Sequence, residues 1–90
     1  MELASVIVEF YGIPRQRAGR ASLPVEAATL GQALTAVERA CPGLAGMVQV
    51  NGRLNPHFAV SIDGREFVGE LQQRLESGDR LLLLSADAGG

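Results

Sequence analysis

The chain opens with alternating apolar and polar positions from Leu3 to Phe10. One face of this segment is apolar (Val6, Val8 and Phe10), and the other carries Ser5, Ile7 and Glu9. A period of two predicts a β-strand. A second strand is expected from Arg20 to Val25, paired with the first as a hairpin. Pro24 is expected at its end or on a sheet edge, because proline has no N–H for a ladder.

Between these strands, the segment from Gly12 to Gly19 holds Pro14 and Gly19 among arginines and predicts a loop. An amphipathic helix is predicted next. Thr29 and Gln32 have capping-box spacing, and Pro42–Gly43 ends the pattern. Its apolar positions recur at helical spacing, at Leu30, Leu34, Val37 and Cys41, with Ala33 beside them.

The pattern from Leu44 to Pro56 is weak and predicts a long connection with a short extended piece around the Asn51–Gly52 turn. A strand is expected over Phe58 to Ile62, followed by a hairpin turn at Asp63–Gly64, since both residue types tolerate positive φ. Arg65 to Val68 is the predicted return strand. Gly69 to Leu75 is predicted to form a helical turn.

A turn at Ser77–Gly78–Asp79 leads into the last strand, Arg80 to Ser85, which contains four consecutive leucines. A continuous apolar run favours a central strand, so the last strand is expected in the middle of the sheet, next to the first. One main helix across one face of a mixed sheet of about four to five strands is an α+β architecture.

Composition excludes several classes of protein. The 90 residues carry a formal net charge of −2 and suit one small domain, and a nucleic-acid-binding surface would be basic. The single cysteine rules out an internal disulfide, a cysteine-rich metal site and a plant-type ferredoxin. The N-terminal sequence matches neither a signal peptide nor a membrane span. We therefore expect a cytoplasmic protein that binds neither nucleic acid nor membrane.

Residues able to perform catalysis are scarce. His57, the only histidine, is interpreted as a solvent-facing loop residue, and Cys41 as a buried, inert thiol on the apolar helix face. The acidic residues Glu66, Glu70, Glu76 and Asp79 show no metal-ligand pattern, and the glycines form no phosphate-binding loop. We therefore expect no metal and no bound cofactor.

The remaining candidate is the segment Ala86–Asp87–Ala88–Gly89–Gly90, directly after the predicted central strand. Five extended residues span at most about 17 Å, which is enough to carry a carboxylate into the active site of another protein. Glycine suits a narrow channel because it adds no side chain and accepts most dihedral angles.

These features resemble the MoaD/ThiS family of ubiquitin-like β-grasp sulfur carriers. The resemblance covers the first strand, the capped helix, the Ser61–Ile62–Asp63–Gly64 hairpin, the turn from Ser77 to Leu81 and the final Gly89–Gly90. The turn combined with the diglycine is the specific part. Two features depart from the family: Asp63 replaces a frequent asparagine, and Ser85–Ala86–Asp87–Ala88 replaces the prolines and apolar residue common in the molybdopterin-synthase branch.

The resemblance implies a β-grasp domain over residues 1–85 and a flexible diglycine tail over residues 86–90. It implies that an ATP-dependent activating enzyme, of the ubiquitin-activating adenylyltransferase type, adenylates Gly90. A persulfide or sulfide donor then converts the acyl adenylate to a thiocarboxylate, with Gly89, Ala88 and Asp87 forming the tail. The chain itself would be a covalent carrier and not an enzyme.

The resemblance places molybdopterin (molybdenum cofactor) synthesis first among the pathways, with a synthase large subunit as the sulfur acceptor. Thiamine, cysteine, tRNA thiolation or another metabolite remain alternatives within the same class. A protein modifier that forms an isopeptide with lysine is a second class. A third is a non-catalytic interaction module, for which Arg15, Arg17 and Arg20 would be the main evidence.

Partner docking is expected on the sheet face opposite the helix. Neighbouring residues of a strand face opposite sides, so one alternating pair among Leu81, Leu82, Leu83 and Leu84 must point away from the helix. Ile7 lies opposite the helix-facing side of the first strand. Ile7 and two of the leucines would form an apolar patch, and such patches mark interaction sites.

Overall fold

Two α-helices and seven strands follow one another in the computed structural model, which describes residues 2–86. In chain order, the elements are β1 Ala4–Phe10, α1 Ile13–Ala18, β2 Ser22–Ala27, α2 Leu30–Ala40, a 3-10 turn Pro42–Leu44, β3 Gln49–Val50, β4 Arg53–Leu54, β5 Phe58–Ile62, β6 Glu66–Val68 and β7 Arg80–Ser85.

Five of the strands form one mixed sheet in the order β2-β1-β7-β5-β6, and β3 and β4 form a separate two-stranded ribbon. β7 pairs parallel with β1 and antiparallel with β5. The predicted α+β class, the mixed sheet and the central position of the last strand beside the first are thus confirmed.

The core lies between α2 and one face of this sheet. β1 contributes Ala4, Val6, Val8 and Phe10, and β7 contributes Leu81 and Leu83. The helix contributes the apolar residues that the sequence pattern predicted, Leu30, Ala33, Leu34 and Val37, with Cys41 after its last turn. Each fully buried leucine stabilises the fold by roughly 1.5–3 kcal/mol.

The start of α2 is fixed by reciprocal hydrogen bonds. Thr29 Oγ1 accepts from the Gln32 N–H (3.3 Å), and Gln32 Oε1 accepts from the Ala28 N–H (2.7 Å). This is capping-box chemistry, with the glutamine reaching one residue further back than the cap itself. The predicted helix start is therefore confirmed.

The prediction of a loop from Gly12 to Gly19 is wrong, because α1 occupies it. Pro14 lies in the first turn of α1 and is buried, and Gly19 ends the helix at φ 71° with its N–H donating to the Arg15 carbonyl. Proline at a helix start and glycine after its end mark helix boundaries. β2 consequently starts at Ser22 instead of Arg20. Pro24 lies on an edge strand, as expected.

The long connection after α2 contains more structure than predicted. β3 and β4 are joined by a turn in which Asn51 (φ 55°) and Gly52 (φ 73°) both adopt positive φ. Glu38 Oε2 of α2 accepts from the backbone N–H groups of Val48 and Gln49 (2.8 and 3.0 Å). The Gln49 side chain adds two more hydrogen bonds to α2, from Nε2 to the Gly31 carbonyl (3.3 Å) and to Thr35 Oγ1 (2.9 Å), so the ribbon is tied to the helix by two side chains.

The predicted helical turn from Gly69 to Leu75 is reduced to one hydrogen-bonded turn, in which the Gln73 N–H donates to the Glu70 carbonyl (3.0 Å), and no helix forms. This segment runs past the start of α2, where the Gly31 N–H donates to the Leu71 carbonyl and the Leu30 N–H donates to the Gln73 carbonyl (both 2.9 Å). The first N–H groups of a helix have no partner within the helix. The segment supplies those partners from two of its carbonyls.

Candidate functional site

The end of β7 lies next to the last residue that the structure describes, Ala86. Ser85 pairs with Phe58, and the Ala86 N–H donates to the His57 carbonyl at 2.8 Å. Ala86, assigned by the sequence to the tail, thus still continues the ladder. The predictions for Asp87, Ala88, Gly89 and Gly90 lie outside the described residues.

The structure separates the two leucine pairs of β7. Leu81 and Leu83 are fully buried in the core, so they are removed from the docking candidates that the sequence could not distinguish. Leu82 and Leu84 are half-buried on the opposite, helix-free face, which is called the open face below. Ile7, 44% exposed, lies on the same face of β1, between Pro24 of β2 and Arg80 of β7.

Two aromatic residues of the open face were missed by the sequence analysis. Phe67 of β6 is 72% exposed and lies opposite Ser61, which in turn lies opposite Leu82. Tyr11, 43% exposed, follows β1, and its N–H donates to the Leu83 carbonyl (3.0 Å). The open-face patch is defined as Ile7, Tyr11, Phe67, Leu82 and Leu84. The sequence offered little indication of which way Phe67 points, because β6 has only three residues and shows no clear alternation of apolar and polar positions.

A charged trio lies beside this patch. Arg80 donates from Nε to Glu9 Oε2 (3.0 Å) and from Nη2 to Glu9 Oε1 (3.1 Å), and the Tyr11 hydroxyl donates to Glu9 Oε1 (2.7 Å). Glu9 lies opposite Leu82 across the β1–β7 ladder. Both carboxylate oxygens are therefore satisfied from within the molecule, so a partner can cover Glu9 without leaving it unpaired.

These contacts shift the acid–base properties of the trio. The hydrogen bonds from Arg80 and Tyr11 hold the pKa of Glu9 below its ordinary value. The hydrogen bond to the Glu9 carboxylate raises the pKa of Tyr11, because it favours the protonated phenol. The trio thus has a fixed charge near neutral pH and suits positioning better than proton transfer.

The other candidate side chains do not assemble into a catalytic site. Cys41 is buried, and desolvation raises the pKa of its thiol, which disfavours the nucleophilic thiolate. His57 is exposed, at the base of the tail. Within residues 2–86, no group of three or more His, Cys, Asp or Glu side chains is placed to hold a metal ion.

Arg15, Arg17 and Arg20 are all exposed, on α1 and just after it. Arg20 Nε donates to the Ser22 carbonyl (2.7 Å). α1 itself follows the end of β1 and lies close to β7. None of the helices in the described part of the chain is long and apolar enough to cross a membrane.

Comparison with known proteins gives no match to a family model and no match to a curated protein. Solved structures do match. SAMP1 of Haloferax volcanii, a small archaeal modifier protein, is 30% identical, with 97% of this chain and 100% of that chain covered and a TM-score of 0.82.

CysO, in the Amycolatopsis orientalis BexX/CysO complex, is 28% identical over 94% of this chain and 99% of that chain, with a TM-score of 0.80. A chain from the complex of subunits 1 and 2 of the Helicobacter pylori molybdopterin-converting factor is 23% identical over 96% and 99%, with a TM-score of 0.64, and shows the fold alone. The open sheet face, the central last strand and the 30% identity to SAMP1 agree with one another, and the chain belongs to the MoaD/ThiS family of ubiquitin-like sulfur carriers.

Proposed function

We propose that this chain carries sulfur as a thiocarboxylate on Gly90. The observation that carries the proposal is the end of β7, a central strand whose last described hydrogen bond is made by Ala86. Four further residues span at most about 14 Å. Gly90 would therefore stay within about 14 Å of the end of β7, and the chemistry would be done by a partner.

The proposed reaction has two steps. The Gly90 carboxylate attacks the α-phosphorus of ATP on an activating enzyme, which releases pyrophosphate and forms an acyl adenylate. With sulfide as donor, hydrosulfide then forms the C–S bond, the bond to AMP breaks and one proton is released. A persulfide protein is the alternative donor: its terminal sulfur displaces AMP to give an acyl disulfide, and a second thiol of the partner then cleaves the S–S bond, which releases the thiocarboxylate and leaves a disulfide on the partner. The need for ATP places the reaction in the cytoplasm, and the chain needs no bound cofactor of its own.

Docking on these partners is assigned to the open-face patch. Ile7, Leu82 and Leu84 supply apolar area close to the tail, and Phe67 and Tyr11 extend it with aromatic rings, the side chains most often found in binding hot spots. Both partners would need Gly90 and the open-face patch, so the activating enzyme and the sulfur acceptor would bind one after the other and not together.

The acceptor is proposed to be a synthase subunit of molybdopterin synthesis, since subunit 1 of the molybdopterin-converting factor shares this fold and is found in a complex with subunit 2. The 28% identity to CysO favours a BexX-like acceptor as the alternative. Thiamine, cysteine and tRNA thiolation remain open within the class.

A second candidate function is protein modification, favoured by the 30% identity to SAMP1, a small archaeal modifier protein. In that case Gly90 would form an isopeptide bond with a lysine. These 90 residues contain no lysine, so an isopeptide product would have to involve a side chain of another protein. Intact-mass measurements therefore distinguish the two functions without interference from self-conjugation through these residues.

The test is ATP-dependent pyrophosphate exchange with the activating enzyme, followed by mass spectrometry after sulfide is added. We expect exchange and the replacement of one oxygen by sulfur at Gly90. Deleting Gly90 or adding one residue after it should abolish both, with unchanged circular dichroism, because no core contact is lost. Exchange that persists in the extended variant would contradict the proposal. A lysine conjugate in place of the thiocarboxylate would establish the modifier function.

A further inference from the structure

The charges of this protein are distributed unevenly along the direction of β1 and β7. The two strands run parallel, so their C-terminal ends meet at one end of the sheet and their N-terminal ends at the other. The C-terminal end is called the tail pole and the N-terminal end the far pole. Over the seven residues of β1, the poles are separated by about 20 Å.

The tail pole is basic. The segment from Tyr11 to Ala21 contains Arg15, Arg17 and Arg20 and no acidic residue. It lies at this end because the Tyr11 N–H donates to the Leu83 carbonyl and the Phe10 N–H donates to the Ala21 carbonyl. Within residues 2–86, none of the three arginines forms an ion pair. Their charges are therefore available to a partner.

The far pole is acidic. Turns and strand ends gather there, as shown by the hydrogen bonds that the Gly78 N–H donates to the Ser5 carbonyl and the Glu76 N–H donates to Asp79 Oδ2. Six of the nine acidic residues within residues 2–86 lie at this end, Glu2, Glu26, Asp63, Glu66, Glu76 and Asp79. Arg80 is paired with Glu9, near the C-terminal end of β1, so these two charges cancel. The other two arginines at this end, Arg65 and Arg74, leave a net charge of −4 there, as six minus two.

Distance makes the two poles electrically separate. The Debye length is about 8 Å at physiological ionic strength, so charges about 20 Å apart scarcely influence each other through solvent. A partner that approaches the tail pole therefore meets three positive charges and not the overall charge of −2. Counted together with the negative charges of Asp87 and the Gly90 carboxylate, which follow in the sequence, the three arginines still leave +1, against −4 at the far pole.

We propose that this charge separation steers the tail pole toward an activating enzyme whose entrance is rimmed by carboxylates. The inference rests on the proposed function, since it presumes that Gly90 enters an adenylation site. Arginines around the base of the tail attract an acidic rim while the far pole is repelled by it. Of the possible encounter orientations, the productive one is favoured before any apolar contact forms.

The charge separation is measured first on the free protein. Amide protons of α1 should relax faster with a carboxylate-bearing nitroxide than with an amine-bearing one, and those near Gly78 should show the opposite order. Equal relaxation by the two probes at both poles would overturn the inference.

The steering is measured as the association rate constant with the activating enzyme, at low ionic strength and at about 1 M salt, where the Debye length is about 3 Å. The triple variant Arg15→Gln, Arg17→Gln, Arg20→Gln should associate about tenfold more slowly at low salt, with an unchanged dissociation rate and no difference at high salt. The triple variant with lysine at the same positions should keep the wild-type rate, because steering depends on charge and not on guanidinium geometry.

The matched control is Arg53→Gln, Arg65→Gln, Arg74→Gln, which changes the net charge by the same amount away from the tail pole. It should associate at least as fast as the wild type. Equal slowing in both glutamine triples would mean that only net charge matters, and slowing in the lysine triple would indicate specific arginine contacts; either would overturn the inference. Wild-type protein that supports no pyrophosphate exchange would instead refute the proposed function.

Discussion

At the residue scale, Glu9 connects two strands of the sheet and also positions side chains on its open face. Its carboxylate bridges β1 to β7 through Arg80, and it also accepts the hydroxyl hydrogen bond of Tyr11. The pair is partly solvent-exposed, so its contribution to stability is small. Its larger effect is to position two neighbouring side chains, Arg80 and Tyr11, of which Tyr11 belongs to the proposed docking surface.

The phenol of Tyr11 provides a direct measurement of this contact. Its pKa is raised by the hydrogen bond to Glu9, so Glu9→Gln should lower it toward the ordinary value of a tyrosine. The folded state favours the protonated phenol, and the stability from this contact is lost as the pH rises through the folded pKa. Because the chain has one tyrosine and no tryptophan, ultraviolet absorbance against pH reports Tyr11 alone.

The control for this titration is Glu66→Gln, which removes a carboxylate from the same sheet away from Tyr11. It should leave the absorbance curve unchanged. An unchanged curve in Glu9→Gln would show that the hydroxyl does not bond to Glu9 in solution.

α1 packs closely on the 3-10 turn after α2 because Gly43 in that turn has no side chain. A Cβ on Gly43 would clash with the backbone carbonyl of Arg17, the next-to-last residue of α1. The φ of Gly43 is not positive, so close approach, and not backbone strain, is what requires glycine here. Backbone atoms cannot rotate away as a flexible side chain can.

Gly43→Ala should therefore destabilise the fold by about 1–3 kcal/mol, the usual range for inserting a carbon where there is no space. Gly69→Ala is the matched control, since its Cβ would meet nothing within 4 Å and its φ is not positive; its free energy of unfolding should change by less than about 0.5 kcal/mol. Urea unfolding measures both. Similar stabilities for the two variants would mean that α1 moves away from the turn.

The elements that the sequence predicted well are those with a strong period or a long apolar run. β7 and α2 were found because many residues contribute to each pattern. The Asp63–Gly64 turn was found for another reason, since both residue types tolerate the positive φ that they adopt. α1 was missed because Pro14 and Gly19 were interpreted as loop residues when they are helix boundaries. β3 and β4 have two residues each, too few for any periodicity to appear.

The candidate site was predictable only in part, for a geometrical reason. Alternation shows that two leucines of β7 face away from the helix but not which two, since the choice depends on how β7 registers with β1 and β5. Phe67 joins the patch only through the order of the strands, because β6 lies two places from β7. The type of each side chain can be read from the sequence, whereas the set of side chains that share one face depends on the order and register of all the strands.

At the scale of the whole molecule, the two sides of the sheet differ in burial. One side holds α2 and the core, and the other exposes the open-face patch. A change on the open face should therefore affect binding and leave stability nearly intact, whereas a change on the core side should do the reverse. Leu83 and Leu84 are neighbours in β7 with opposite orientations, which makes them a suitable pair for testing this separation.

Leu84→Asp should weaken binding to the activating enzyme at least about tenfold, because it introduces a charge that must be desolvated on docking. The cost in stability should be no more than about 1 kcal/mol, since Leu84 is only half-buried. Leu83→Ala should instead cost about 2–5 kcal/mol of stability and leave the affinity of the remaining folded protein unchanged. Calorimetric titration and urea unfolding measure the two effects.

Val50→Asp is the matched surface control, because Val50 is 39% exposed and lies on the ribbon beside α2, away from the open face. It makes a comparable apolar-to-charged change and should leave the affinity as it is. If Val50→Asp weakened binding as much as Leu84→Asp, the ribbon would be part of the docking surface. If Leu84→Asp bound like the wild type, the open-face patch would not be the docking surface at all, and the partner would have to hold the chain through the tail and its arginines alone.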